Sequence, residues 1–354
     1  MADNSFLLYG ANGYTGELIA RHAKDYDLQP ILAGRREEVI KPLANQLDCA
    51  YIVFGVDNTS AVNHAVGKVK VVLNAAGPFQ FTAKQMIEGC VECGTHYLDI
   101  NGDVSVFEFV RRYDDVAKRA GIMVLPGAGF DVVPTDCTAL FLKKLVPDAV
   151  ALKLAFASLG GGLSHGTATT MVSKLGKGGA VRKDGKIISV PLGHRGMWVD
   201  FGERKLFVMT IPWGDVATAY YTTGIPNIES YAAVSPAVYR LLKFQSLYNW
   251  FLRTNFLRSL LQRRINRRVP GPTTEQRRNA ASLIWGQAQS PNGSQATVRM
   301  RCDDGYTLTM QSTLLITKKI LSGDYKPGYQ TPASAYSEDL VMDLPHVTRE
   351  IIEQ

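Results

Sequence analysis

Three glycines stand three residues apart in LYGANGYTG (8–16): Gly10, Gly13 and Gly16, directly behind an apolar run. A backbone this bare suits the close approach of a phosphorylated ligand. Gly10 permits a tight turn, Gly13 lets the chain come up to a pyrophosphate, and Gly16 lets the next helix sit close on the strand. A helix starting there offers free N–H groups and its positive dipole end to phosphate. Asn12, Tyr14 and Thr15 fill the same loop and count with the glycines as dinucleotide-binding candidates. The spacing is GxxGxxG rather than GxGxxG, and without a ligand the same residues are simply a turn.

The end of the second apolar run, PILAGRR, speaks to the type of dinucleotide. An NAD site usually ends this strand with Asp or Glu, which bonds the ribose hydroxyls. Here Arg35 and Arg36 stand there instead, with no carboxylate to repel a 2′-phosphate and two guanidiniums to grip it. NADP, as NADPH, is therefore the expected cofactor; otherwise the two arginines are solvated surface charges. Asp57 ends the third run, where adenine is usually bordered. Asn74, Ala75, Gly77, Pro78 and Phe79 end the fourth, small enough for a nicotinamide ribose to lie close, or, as structure alone, a tight turn stiffened by proline.

Hydride addition to C=N or to a polarised C=C leaves an atom in need of a proton. THYLDINGD (95–103) and GAGFDVVPTD (127–136) offer candidates. Period-two spacing puts Tyr97 and Asp99 on one strand face and His96 on the other. Asp99 ranks first as acid or as the group orienting one, then Tyr97 and Asp131. Equally, Asp99 could only tie loop backbone and Tyr97 could be core. Asp136 could cap a helix, and His165 sits in a glycine-rich loop suited either to closing over a cofactor or to plain exposure. Cys90, Cys93 and His96 make at most half a metal site, so no metal is expected.

Strands and helices alternate from residue 5 to 129 at lengths suited to a doubly wound parallel sheet. Beyond that, runs such as 150–158, 205–212, 215–223, 294–303 and 306–316 read as strands with alternating faces. The expectation is an α/β chain: a Rossmann-type NADP-binding domain over 1–130, a substrate and dimerisation α+β domain of mixed or antiparallel sheet over 131–330, and a C-terminal segment, 331–354, returning to the first domain.

With 354 residues, 46% hydrophobic and 20% charged, the composition is that of a globular enzyme and not of a fibrous or disordered chain. No apolar run approaches the 18 or so residues of a membrane span. MADNSFLLYG lacks the basic and apolar regions of a cleaved signal, and five cysteines without repeated spacing suit reduced thiols. A cytoplasmic homodimer is expected. The net charge of +7 is local: residues 230–274 hold Arg240, Lys243, Arg253, Arg258, Arg263, Arg264, Arg267 and Arg268 and no acid, so removing their +8 leaves −1 for the rest. That excludes generic nucleic-acid affinity and leaves a solvated rim, a peripheral contact on the inner membrane surface, or an acidic acyl carrier protein.

GANGYTG, AGRR, VVLNAAGPF, CGTHYLDINGD and PGAGFDVVPTD occur in this order. With SLGGGLSHGTATTM, DVATAYYTTGIPNIESY and TPASAY further on, the chain resembles the saccharopine dehydrogenase-like oxidoreductases, which include trans-acting enoyl reductases of lipid synthesis. The resemblance implies a Rossmann domain, an inserted substrate and dimerisation domain, a returning C-terminal helix, and NAD(P)H-dependent reduction. An enoyl thioester or similar lipid precursor is the leading substrate expectation, and an imine of an amino acid and an oxo acid the second. A dinucleotide-binding scaffold without turnover is the non-enzymatic alternative. The chain is shorter than saccharopine dehydrogenases and lacks a clear arginine cluster for several carboxylates, which argues against the amino-acid substrate.

Overall fold

In the computed structural model, residues 4–174, 176–252, 254–267 and 270–353 are described. The first half alternates strand and helix: β1 (Ser5–Tyr9), α1 (Tyr14–His22), β2 (Gln29–Gly34), α2 (Glu37–Leu47), β3 (Tyr51–Val53), α3 (Thr59–Val66), β4 (Val71–Asn74), α4 (Ala83–Cys93), β5 (His96–Asp99), α5 (Val104–Val110), α6 (Asp114–Arg119) and β6 (Met123–Leu125). Then come α7 (Val133–Leu145), β7 (Ala151–Leu159), α8 (His165–Ser173), β8 (Gly179–Lys183), β9 (Lys186–Val190), β10 (Gly196–Asp200), β11 (Lys205–Thr210), α9 (Asp215–Thr223) and β12 (Asn227–Ala233). Three short helices follow, α10 (Pro236–Leu242), α11 (Gln245–Leu252) and α12 (Asn255–Asn266), then α13 (Thr274–Arg278), β13 (Ala281–Gln289), β14 (Gln295–Asp303), α14 (Gly305–Leu321), β15 (Gly328–Tyr329), α15 (Pro332–Tyr336) and β16 (Thr348–Glu353).

The chain divides into two units. The first, 1–133 with 306–336, holds a seven-stranded sheet in the order β3-β2-β1-β4-β5-β6-β15, every pair parallel. Every residue of β1 is buried, as a central strand covered on both faces requires. Strand order reverses between β1 and β4, so their carboxyl ends flank the crevice where such sheets take ligands. Helix starts are capped locally: Asn58 accepts from the Ala61 N–H ahead of α3, and Asp103 from the Ser105 N–H ahead of α5.

The second unit, 134–305 with 337–354, is a nine-stranded mixed sheet. β12 and β7 run parallel, and β13 pairs antiparallel with both β7 and β14. One core on this sheet gathers Leu142, Leu152, Ile225 and Val298, another Val208, Tyr231 and Leu283.

Three expectations need correction. Residues 215–223 and 306–316 are helical, in α9 and α14, not strands. Threonine-rich alternation imitates a strand, but these threonines satisfy their hydroxyls on carbonyls four residues back: Thr313 on Thr309, Thr317 on Thr313, Thr222 on Thr218 and Thr223 on Ala219. Both helices are buried on most sides, which erases the 3.6-residue period. The segment returning to the first unit is 306–336, not 331–354, and β16 adds antiparallel to β14 in the second sheet. The inserted stretch therefore closes at Gly305 rather than at 330.

Candidate functional site

The glycine turn is stitched to both neighbours of β1. Gly10 N–H donates to Ala33 O at 2.8 Å, and Ala75 N–H donates to Tyr9 O at 2.8 Å. Gly10 sits at φ +83°, and a Cβ there would stand 2.7 Å from the Ala76 nitrogen. A Cβ on Gly16 would run into the Gly10 carbonyl. Gly13 caps α1 with no side chain over the first-turn N–H groups, and with Asn12 it is exposed. This cradle fits a pyrophosphate: the bare turn, the helix start and the strand ends coincide. Tyr14 and Thr15 are half-buried, and the Tyr14 ring meets Tyr306 of α14 edge-on at 4.9 Å. No local signal places Tyr306 here, because the alternation of 306–316 imitates a strand of the second domain.

Arg35 and Arg36 follow β2, and both are exposed. Among the described residues Arg36 pairs with Glu38 at 3.8 Å, a long and solvated contact. Both guanidiniums are thus reachable by a 2′-phosphate. Asp57 is exposed in the loop after β3.

Asn74 takes a different task from the others in its segment. It is fully buried, accepts from Ala76 N–H at 3.0 Å, and donates to Thr82 Oγ1 at 3.1 Å and to the Tyr97 hydroxyl at 3.2 Å. It shapes the turn from within, while Gly77 and Pro78, joined by a cis bond, are exposed and Ala75 and Phe79 are half-buried.

Tyr97 and Asp99 share a face of β5, as the spacing implies. The Tyr97 hydroxyl donates to Asp99 Oδ2 at 2.9 Å. Asp99 Oδ1 accepts from Asn101 N–H at 2.9 Å and from Gly127 N–H at 2.8 Å. Burial pushes the Asp99 carboxyl up to about 6, against the pull of those two N–H groups and Tyr97. With Tyr97 and Asp99 both fully buried, neither has surface to meet a substrate. They tie the end of β5 to the loop after β6, which is the orienting role that the sequence left open beside direct proton transfer. Asp131 lies in that loop, half-buried, its carboxylate packed on Gly102. α14 also holds the loop, through Thr309 Oγ1 accepting from Phe130 N–H at 3.0 Å and Ser312 Oγ donating to Ala128 O at 2.7 Å.

His96 is structural. Its Nδ1 accepts from Met123 N–H at 2.9 Å, its ring packs at a 56° tilt against Tyr325, and burial lowers its pKa to about 4. Cys90 is buried, and Cys93 Sγ turns to the Asn63 carbonyl at 3.5 Å. In the second unit, Asp136 is buried inside α7, accepting from the Thr222 hydroxyl at 2.6 Å, so it does not cap the helix. His165 opens α8 behind the Ser164 cap. A cleft of about 710 Å³ lies beside Asn4, Ser5, Gln29 and Pro30, at the amino ends of β1 and β2, the end of the sheet opposite the glycine turn.

Residues 6–125, the segment carrying the glycine turn, Arg35, Arg36, Asn74, Tyr97 and Asp99, match the family model of the saccharopine dehydrogenase NADP binding domain. The first unit thus carries an NADP-binding domain of the saccharopine dehydrogenase type. The chain is 24% identical over 336 residues to a lipid droplet localized protein of Caenorhabditis elegans, covering 80% of this chain and 78% of that one. It is 23% identical over 202 residues to the saccharopine dehydrogenase-like oxidoreductase of Rattus norvegicus, an alignment covering 50% of this chain and 47%, about half, of the rat protein. It is 29% identical over 151 residues to the trans-acting enoyl reductase of Mycobacterium leprae, covering 40% and 35% of the two. Apo saccharopine dehydrogenase (L-Glu forming) of Saccharomyces cerevisiae shares its fold, with a TM-score of 0.67 over 99% of this chain and 100% of that chain at 12% identity.

Proposed function

We propose that this protein uses NADPH to reduce the polarised C=C bond of an enoyl-type lipid precursor. The observation that carries the cofactor half is the pairing of the bare turn at Gly10 with two exposed arginines after β2. The lipid half is supported by two relatives, one named a trans-acting enoyl reductase and one a lipid droplet localized protein.

Bound NADPH supplies a hydride, and the chain does the rest. The glycine turn and the start of α1 hold the pyrophosphate. Arg35 and Arg36 hold the 2′-phosphate. Asn74, Tyr97 and Asp99 keep two strand ends in place from below. When the β-carbon has gained hydride, the α-carbon carries the electron pair and needs a proton. We assign its delivery to Asp131, the one of the three proton-donor candidates with exposed surface.

The test is NADPH consumption with short- and long-chain enoyl thioesters, beside mixtures of an amino acid and an oxo acid. Consumption with enoyl thioesters alone is the expected result. Consumption with the imine mixtures alone moves the substrate to that class. NADPH binding without consumption in either set leaves a dinucleotide-binding scaffold.

A further inference from the structure

Each of the three short helices in the acid-free stretch presents an exposed apolar pair. In α10 these are Val238 and Leu241, 45% and 61% exposed; in α11 Leu247 and Trp250, both 72%; in α12 Phe256 and Leu260, 75% and 48%. The spacing is i,i+3 or i,i+4, so each pair shares one helix face. Phe244, 61% exposed, joins the first two pairs across the turn. The opposite sides are anchored to the second unit. Gln245 donates to Leu192 O at 2.7 Å, Gln262 to Thr169 Oγ1 at 2.9 Å, and Ile265 is buried. Arg240, Lys243, Arg263, Arg264 and Arg267 are exposed beside the apolar pairs. Arg253 and Arg268 lie outside the described residues.

Large apolar side chains at this exposure mark a contact surface. Charge selects what covers it. A second copy in a two-fold contact would set one +8 stretch against another. A nucleic acid would use the arginines and leave Trp250, Leu247 and Phe256 in water. An anionic lipid interface meets both halves, taking Leu, Phe and Trp at the acyl boundary and Arg and Lys among the phosphates. At 7, 8 and 12 residues the helices fall well short of the roughly 20 needed to span, so they lie in the plane of the surface.

We propose that α10, α11 and α12 form a docking face for an anionic phospholipid surface, whichever bond the hydride reaches. The test is sedimentation of the full chain with phosphatidylcholine vesicles, with and without phosphatidylglycerol. The wild type sediments with the anionic vesicles at low salt and is released at high salt, where charges are screened. The triple variant Arg263→Gln, Arg264→Gln, Arg267→Gln partitions about a hundredfold more weakly, at roughly fivefold per charge. The double variant Leu247→Glu, Trp250→Glu stays in the supernatant at every salt concentration. NADPH titration and thermal unfolding match the wild type in both variants, which separates this result from any failure of the reductase reading. Three results overturn the proposal: wild type left in the supernatant with anionic vesicles at low salt, the Leu247→Glu, Trp250→Glu variant sedimenting like wild type, or a wild-type dimer in light scattering that this variant splits.

Discussion

The hydroxyl of Tyr97 donates to Asp99 Oδ2 at 2.9 Å, and neither residue reaches solvent. The other carboxylate oxygen takes the Asn101 and Gly127 N–H groups, so one buried carboxylate joins β5 to the loop that carries Asp131. Its cost and its use are both measurable.

Burial raises the folded Asp99 pKa from 3.8 to about 6. The native state then holds the proton more tightly than the unfolded chain does. Its contribution to stability is complete below about pH 4 and is lost as pH rises through about 6. Asp99→Asn keeps an oxygen for the two N–H groups and removes the titration. Relative to wild type it gains about 3 kcal/mol between pH 4 and pH 7, read by urea unfolding at each pH. A difference between the two proteins that is flat across this range shows that Asp99 does not titrate there.

Asp99→Ala acts differently. It strands two buried N–H groups and the Tyr97 hydroxyl, at a cost of roughly 1–3 kcal/mol for each unpaired group. It should unfold at lower urea than Asp99→Asn at every pH. Equal midpoints would mean that water replaces the carboxylate.

NADPH should bind more tightly than NADH. Arg35→Ala and Arg36→Ala each weaken NADPH by about one to two decades, the worth of a charge-assisted contact, and leave NADH nearly unchanged. Fluorescence titration of both cofactors decides it. Equal wild-type affinities remove the arginines from the phosphate site.

Gly10→Ala suffers twice, from φ +83° and from a Cβ 2.7 Å from the Ala76 nitrogen. It should lower the melting temperature, with a strain of about 1–3 kcal/mol, and abolish measurable NADPH binding. Gly94→Ala, at φ +69° with open space around the added methyl, carries the backbone strain without the clash and should keep NADPH affinity. Loss of binding in both variants would assign the effect to folding rather than to the cradle.

Asp131→Asn keeps size and removes the acid. Turnover on the enoyl substrate should fall by about two to four decades while the NADPH Kd holds. Full turnover would make Asp131 a packing partner of Gly102.

Much of the first unit is legible because its signals are local. A turn that needs a positive φ at Gly10, a helix that must sit against it at Gly16, and alternation that places Tyr97 with Asp99 are steric facts of a few consecutive residues. The threonine-rich runs were not legible, since strand and buried helix both accept β-branched residues. The choice fell to whether the surroundings would leave Thr313 and Thr317 bonding their own helix.

The sequence by itself determined the glycine turn, the two arginines after β2, the alternating strands and helices of the first unit, and an acid-free cationic stretch. Only the tertiary structure decided that Asp99 and Tyr97 are sealed inside, that α14 comes back from residue 306 to hold the Asp131 loop, and that β16 joins the second sheet. Burial and strand pairing depend on partners far along the chain, such as Thr309 for Phe130 and Arg349 of β16 for Met300 of β14, and no local spacing encodes those partners.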